Sequence, residues 1–190
     1  MKSIYILLTR STSIASRIIR FFTHDPFTHA SIAFEHDLPV MYSFARKYAS
    51  LPLPAGLTEE CIHRGFYRKQ GDIPCLLLCI DVSDKVYHRA KTRVYHMMQY
   101  REDYRYSFVG LLMCRLHIPF AVPNQFFCSQ FVSTILEESG ALRLPKPAVL
   151  MHPFDFCSMD NLQVLYSGGL SELRTFCRST GPCPEHKTRE

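Results

Sequence analysis

No stretch of the chain approaches the roughly 20 consecutive apolar residues that a membrane-spanning helix needs, which argues against an integral membrane protein. A secretory signal is also missing. Met1 to Thr9 carries one lysine and a short apolar run, with no small-residue cleavage site. Glycine-rich phosphate loops are absent, since Gly168-Gly169 stands as an isolated pair, so nothing supports nucleotide binding. Metal-ligand spacing is lacking as well. Cys75-x3-Cys79 has no matching second pair, and His24, His29 and His36 do not follow the i, i+4 spacing of a zinc helix. The expectation is therefore no cofactor and no metal. Basic residues form no tight run and no nucleic-acid motif, so a nucleic-acid partner is not expected despite a formal charge of +5. That mild excess leaves room for weak peripheral contact with anionic walls or membranes. Internal repeats, sustained heptads and low-complexity tracts are lacking too.

What is present is the composition of one folded unit. The chain has 190 residues, 47% hydrophobic and 13% aromatic, far from the polar, highly charged make-up of disordered segments. A single domain is expected over residues 1–180, with a loose tail at 181–190. Eight cysteines (Cys61, Cys75, Cys79, Cys114, Cys128, Cys157, Cys177 and Cys183) would suit a disulfide framework in a secreted chain. Several lie inside apolar runs such as CLLLCI and LLMCRL, where a free thiol packs as a small hydrophobe. With no signal segment, a reduced, cytoplasmic setting is the expectation.

Patterning predicts an α+β fold with a small antiparallel sheet packed against helices. Ser3 to Thr9 reads as a buried strand. Ser11 to Thr23, with Ile14, Ile18, Ile19 and Phe22 at helical spacing, reads as a short amphipathic helix ended by Asp25-Pro26. Thr28 to Phe44 reads as a hairpin turning near His36-Asp37-Leu38. From Ala49 to Gly71 the text is rich in Pro, Gly and charge without a period, as in a long excursion bordering a groove. Leu76 to Val82 suits a strand buried on both faces. Ser83-Asp84 caps a helix running to about Tyr100. Phe108 to Leu116 is an apolar patch, and a second strong helix opens at Cys128 and stops at Gly140. Leu162 to Tyr166 fits a last strand.

Cys128 is the residue best placed for chemistry. At a helix start the free backbone N–H groups and the positive end of the dipole favour a thiolate, and the same groups can hold an oxyanion. His29 opens a strand directly after a polar turn, a rigid support for a catalytic imidazole. Asn124 and Gln125, in the loop before Cys128, are weaker candidates for an oxyanion donor.

The segments FTHASIAFE, VMYSFAR and FCSQFVSTILEESG resemble the circularly permuted NlpC-type papain-like hydrolases, including the YiiX-like amidase and peptidase group; the lecithin retinol acyltransferase group is a more distant relative. In these families the histidine strand precedes the cysteine helix, as it does here over roughly residues 3 to 160. The resemblance implies Cys128 as nucleophile, His29 as base and a third polar residue on the next strand, for which Ser43 is the matching position. Serine there departs from the usual His, Glu or Gln. Gln130 departs from a more usual glutamate, and its place on the helix implies a structural role. The implied activity is cleavage of an amide (peptide, isopeptide or acyl amide) bond through a thioester. Two alternatives share the fold: a lipid acyltransferase or thioesterase, and a non-catalytic binding protein with a degenerate site.

Overall fold

The computed structural model describes residues 1–10, 25–46, 55–69 and 71–179. The amphipathic segment at 11–23 and the tail at 181–190 lie outside them. The fold is α+β, and its sheet is larger than the sequence pattern indicated. Six strands run antiparallel in the order β4-β3-β2-β1-β5-β8: β1 (Lys2–Thr9), β2 (His29–Ala33), β3 (Met41–Arg46), β4 (Ala55–Glu60), β5 (Pro74–Val82) and β8 (Gln163–Gly169). Two short strands, β6 (Arg105–Tyr106) and β7 (Gln125–Phe126), pair in parallel beside it.

Period-two alternation divides the sheet into two apolar faces. Ile4, Ile6, Leu8, Ala30, Ile32, Tyr42, Phe44, Leu76 and Leu78 join one buried cluster. Two helices cover that face. The first, α2 (Asp84–Gln99), contributes Ala90, Val94 and Met97; the second, α4 (Cys128–Ser139), contributes Phe131, Val132, Ile135 and Leu136. Tyr5, Leu7, Ala33, Met41, Cys75, Leu77 and Cys79 face the other way. There they pack with Tyr67 of the short helix α1 (Gly65–Lys69) and with Leu170, Leu173 and Cys177 of α5 (Leu170–Ser179). Central strands with both faces covered read as continuous apolar runs, which is why Leu76 to Val82 shows no alternation.

Helix ends follow their local chemistry. Ser83 caps α2 by accepting the Val86 N–H at 3.4 Å. Ser107 caps α3 (Phe108–Arg115) by accepting the Gly110 N–H at 3.1 Å. A Cβ at position 110 would sit 2.5 Å from that capping oxygen, so glycine is what admits the cap. Gly140 ends α4 at φ 81°, in the left-handed region.

The stretch expected to be an irregular excursion, 49–71, instead carries β4 and α1 among its described residues. Only Leu57 of β4 sits in the α2/α4 core, so the strand is held chiefly by its pairing with β3, from Met41–Glu60 to Arg46–Ala55. A strand held by its neighbour leaves little hydrophobic signature of its own.

Phe131 has no exposure and its ring centre lies 5.3 Å from that of Phe44, joining α4 to β3. Phe131→Ala is expected to destabilise the fold by about 3–5 kcal/mol. Urea unfolding followed by circular dichroism measures it, and a change below about 1 kcal/mol would contradict the packing described here.

Candidate functional site

His29 is the first residue of β2, and its imidazole is held by a carboxylate from two strands away. Nε2 lies 3.0 Å from Oε2 of Glu60, the last residue of β4. The same oxygen accepts the hydroxyls of Ser31 at 2.6 Å and Ser43 at 2.8 Å. Ser43, the position that the resemblance pairs with the imidazole, thus binds the carboxylate that binds the imidazole. The direct contact belongs to Glu60. Sheet register explains the convergence. Ile32 pairs with Tyr42, which sets Ser31 opposite Ser43, and Met41 pairs with Glu60. Ser31 and Ser43 therefore share the face opposite Ile32 and Tyr42. Glu35 lies in the turn between β2 and β3, away from this group.

On its other side His29 hydrogen-bonds the Cys128 side chain. Cys128 is the first residue of α4 and is almost fully buried. Its sulfur also receives the backbone N–H groups of Ala30 and Ser129. Two neighbours fix the helix start. The Phe127 N–H donates to Gln130 Oε1 at 3.4 Å, so Gln130 closes the turn in the manner of the N3 residue of a capping box. Ser129 Oγ donates to the Met151 carbonyl at 2.7 Å and ties α4 to the segment behind it.

These contacts decide the charges. Burial works against the His29 imidazolium, but the Glu60 carboxylate and the hydrogen bonds of Cys128 and Glu60 outweigh it and raise the pKa to about 10. Burial also opposes ionisation of Glu60, and is outweighed by the charge and hydrogen bond of His29 and by the two serine hydroxyls, so its pKa falls. For Cys128, burial pushes the thiol up, while the His29 hydrogen bond and charge and the two N–H donors bring it below its ordinary value. The shifts all favour the charged forms, carboxylate at Glu60, imidazolium at His29 and thiolate at Cys128.

A second cysteine and histidine meet nearby with the opposite outcome. Cys114 Sγ lies 3.6 Å from His152 Nε2, and His152 Nδ1 lies 3.5 Å from Asp25 Oδ2. Burial pushes the Cys114 thiol up to about 12, and burial lowers His152, so this pair stays neutral. Among the described residues no group of three or more His, Cys, Asp or Glu is arranged to hold a metal ion, and no disulfide joins the seven described cysteines.

Two residues at the site were not singled out from the sequence. Glu60 sits in the aperiodic stretch, and no local signal marks it. Tyr106 lies on β6, where Ser107 N–H donates to the Phe126 carbonyl at 2.9 Å and brings the strand beside the Cys128 turn. Burial, with the nearby Cys128 charge, pushes its phenol well above the usual range, so it is a neutral donor at neutral pH. Asn124 lies in the turn before β7. It holds φ 58° and its carbonyl accepts the Arg105 N–H at 3.0 Å, while Gln125 lies in β7.

The lowered pKa makes Cys128 the thiol expected to alkylate first. Iodoacetamide labelling followed by peptide mass spectrometry should modify Cys128 below pH 8 while Cys114 stays unlabelled. Glu60→Gln removes the charge that holds His29 protonated. Its Cys128 labelling at pH 6 is expected to fall at least about tenfold, because loss of an adjacent opposite charge moves a pKa by about 1–3 units. Unchanged labelling in Glu60→Gln would show that the carboxylate does not govern the pair. Searches against family models, curated proteins and solved structures found no match to this chain.

Proposed function

We propose that the protein is a cysteine-dependent hydrolase on a circularly permuted papain-like fold, cleaving an amide bond of a peptide, isopeptide or acyl amide through a thioester. The observation that carries this reading is the convergence of Glu60, His29 and Cys128 from β4, β2 and α4 into one hydrogen-bonded line with a depressed thiol pKa. A buried, charged triad at a helix start is costly to a fold unless offset, and its cost is understandable where it activates a nucleophile.

In this mechanism the Cys128 thiolate attacks the carbonyl carbon, forming a C–S bond and a tetrahedral oxyanion. The N–H groups at the start of α4 are the donors for that charge, and the Tyr106 phenol lies near enough to sense the Cys128 charge. The His29 imidazolium passes its proton to the leaving nitrogen as the C–N bond breaks, leaving a thioester and a neutral imidazole. His29 then takes a proton from water, the hydroxide equivalent attacks the thioester, and Cys128 leaves as thiolate, which restores the starting ion pair. Glu60 orients the ring throughout, and Ser31 and Ser43 orient Glu60.

The alternative reading, a degenerate, non-catalytic binder, has two motives: serine at position 43 and the basic amphipathic segment at 11–23. A carboxylate in direct contact with His29 counts against the first; the second lies outside the described residues.

Cys128→Ala is expected to abolish turnover of amide, ester and thioester probes while the unfolding midpoint changes little. Glu60→Gln should lower the rate at pH 6 more than at pH 9, and Ser43→Ala should have a smaller effect than Glu60→Gln. Hydrolysis by Cys128→Ala at the wild-type rate would remove this residue from the chemistry. Preference for the ester or thioester probe over the amide would move the assignment to an acyl hydrolase.

A further inference from the structure

Every residue of the helix α3 before its last, Arg115, is apolar, which is unusual for a helix on a water-facing surface. Ser107, Gly110 and Cys114 are buried and set its inner face. Phe108, Val109, Leu112 and Leu116 recur at i, i+1, i+4 and i+8, within about one third of the helix circumference opposite that face. All four are more than half exposed, at 52%, 56%, 56% and 55%. Ile118 and Phe120 extend the same apolar surface into the following loop.

This surface is built into the structure. The Ile118 N–H donates to the Met113 carbonyl at 2.9 Å and the His117 N–H to the Cys114 carbonyl at 3.0 Å, a Schellman closure with His117 in the left-handed region at φ 57°. The chain accepts a non-glycine residue there and so fixes the apolar loop against the helix end. The other exposed large apolar residues, among them Tyr95, Tyr100 and Val164, are dispersed in sequence and need no explanation.

Charge narrows the partner. Between Asp103 and Glu137 the sequence has no acidic residue, while Arg105 precedes the helix and Arg115 is its last residue. An apolar stripe with an arginine at each end and no carboxylate in its own sequence complements a lipid surface with negative headgroups, where apolar side chains enter the interface and cations meet phosphate. We infer that the outer face of α3 and the Leu116 to Phe120 loop dock this protein on an anionic lipid bilayer. Ser107 opens α3 and its backbone pairs with Phe126, two residues before Cys128, so docking would hold the candidate site at the interface. The docking itself does not depend on Cys128 turning over a substrate.

The test is sedimentation of the full chain with vesicles of phosphatidylcholine alone and of phosphatidylcholine mixed with phosphatidylglycerol, at low and high salt. Binding is expected to the anionic vesicles and to weaken with salt. Leu112→Glu should lower the partition coefficient about tenfold or more, from loss of one buried apolar side chain and addition of a repelled charge. Val164→Glu, on the β8 edge, should leave it unchanged. Binding by Cys128→Ala equal to wild type is expected and separates this inference from the hydrolase reading. No binding by the wild type, binding indifferent to Leu112→Glu, or equal binding to neutral vesicles would overturn it. So would concentration-dependent self-association that Leu112→Glu abolishes in analytical ultracentrifugation, because the face would then belong to a second copy of the chain.

Discussion

One carboxylate oxygen with three donors is the constraint around which the site is arranged. Glu60 Oε2 takes His29, Ser31 and Ser43, and its side chain is only 8% exposed. A carboxylate removed from water is strongly unfavourable unless charge and hydrogen bonds replace its hydration. Those replacements come from β2 and β3, so the register of three adjacent strands is tied to the satisfaction of one group. A slip of one residue in either pairing would turn Ser31 or Ser43 to the opposite, apolar face and leave the carboxylate short of donors. The polar cluster therefore specifies strand order and register at the same time as it holds the imidazole.

The two cysteine–histidine pairs show that proximity alone does not activate a thiol. Cys128 opens α4, where the helix dipole and free N–H groups favour negative charge; Cys114 lies in the last turn of α3, where the dipole opposes it. Their histidines differ too. His29 has a carboxylate at 3.0 Å that is itself fixed by two hydroxyls, whereas the Asp25 carboxylate is 3.5 Å from His152. Desolvation bears on both thiols, and only Cys128 has enough neighbouring positive charge and N–H donors to overcome it. Helix position and the quality of the carboxylate contact separate the two.

The same distinction explains what could be read from the sequence. The strand bearing His29 and the helix opening at Cys128 were legible because each carries a strong local pattern: alternation followed by a turn, and a helical apolar stripe ending at glycine. Ile32, Phe34, Phe131 and Ile135 all lie in the core that those patterns require. Glu60 was not legible. Its strand, AGLTEE, contains glycine and two adjacent glutamates and is held mainly by pairing with β3, a long-range relation that leaves no periodic trace. Ser43 was placed on the correct face by hairpin geometry, but hairpin geometry could not show that a third strand would insert a carboxylate between it and the imidazole. The closing helix α5 was likewise missed, being short and amphipathic in a region with no other marker.

The pKa of His29 bears on how the proposed reaction would proceed. At about 10 the imidazole is protonated at neutral pH, so in the resting state it is poised to act as an acid beside a thiol whose pKa it lowers. Two of the contacts that hold it protonated come from Cys128, its hydrogen bond and its charge. Once the sulfur is acylated, that charge no longer exists, and the imidazolium becomes more acidic at the step where a leaving nitrogen requires its proton. Glu60 remains, which keeps the ring oriented and basic enough to take a proton from water afterwards. The carboxylate is then constant through the cycle and the thiolate is the variable term. In this scheme, removing Glu60 disturbs every step, whereas the loss of the thiolate charge on acylation is itself what drives the proton transfer.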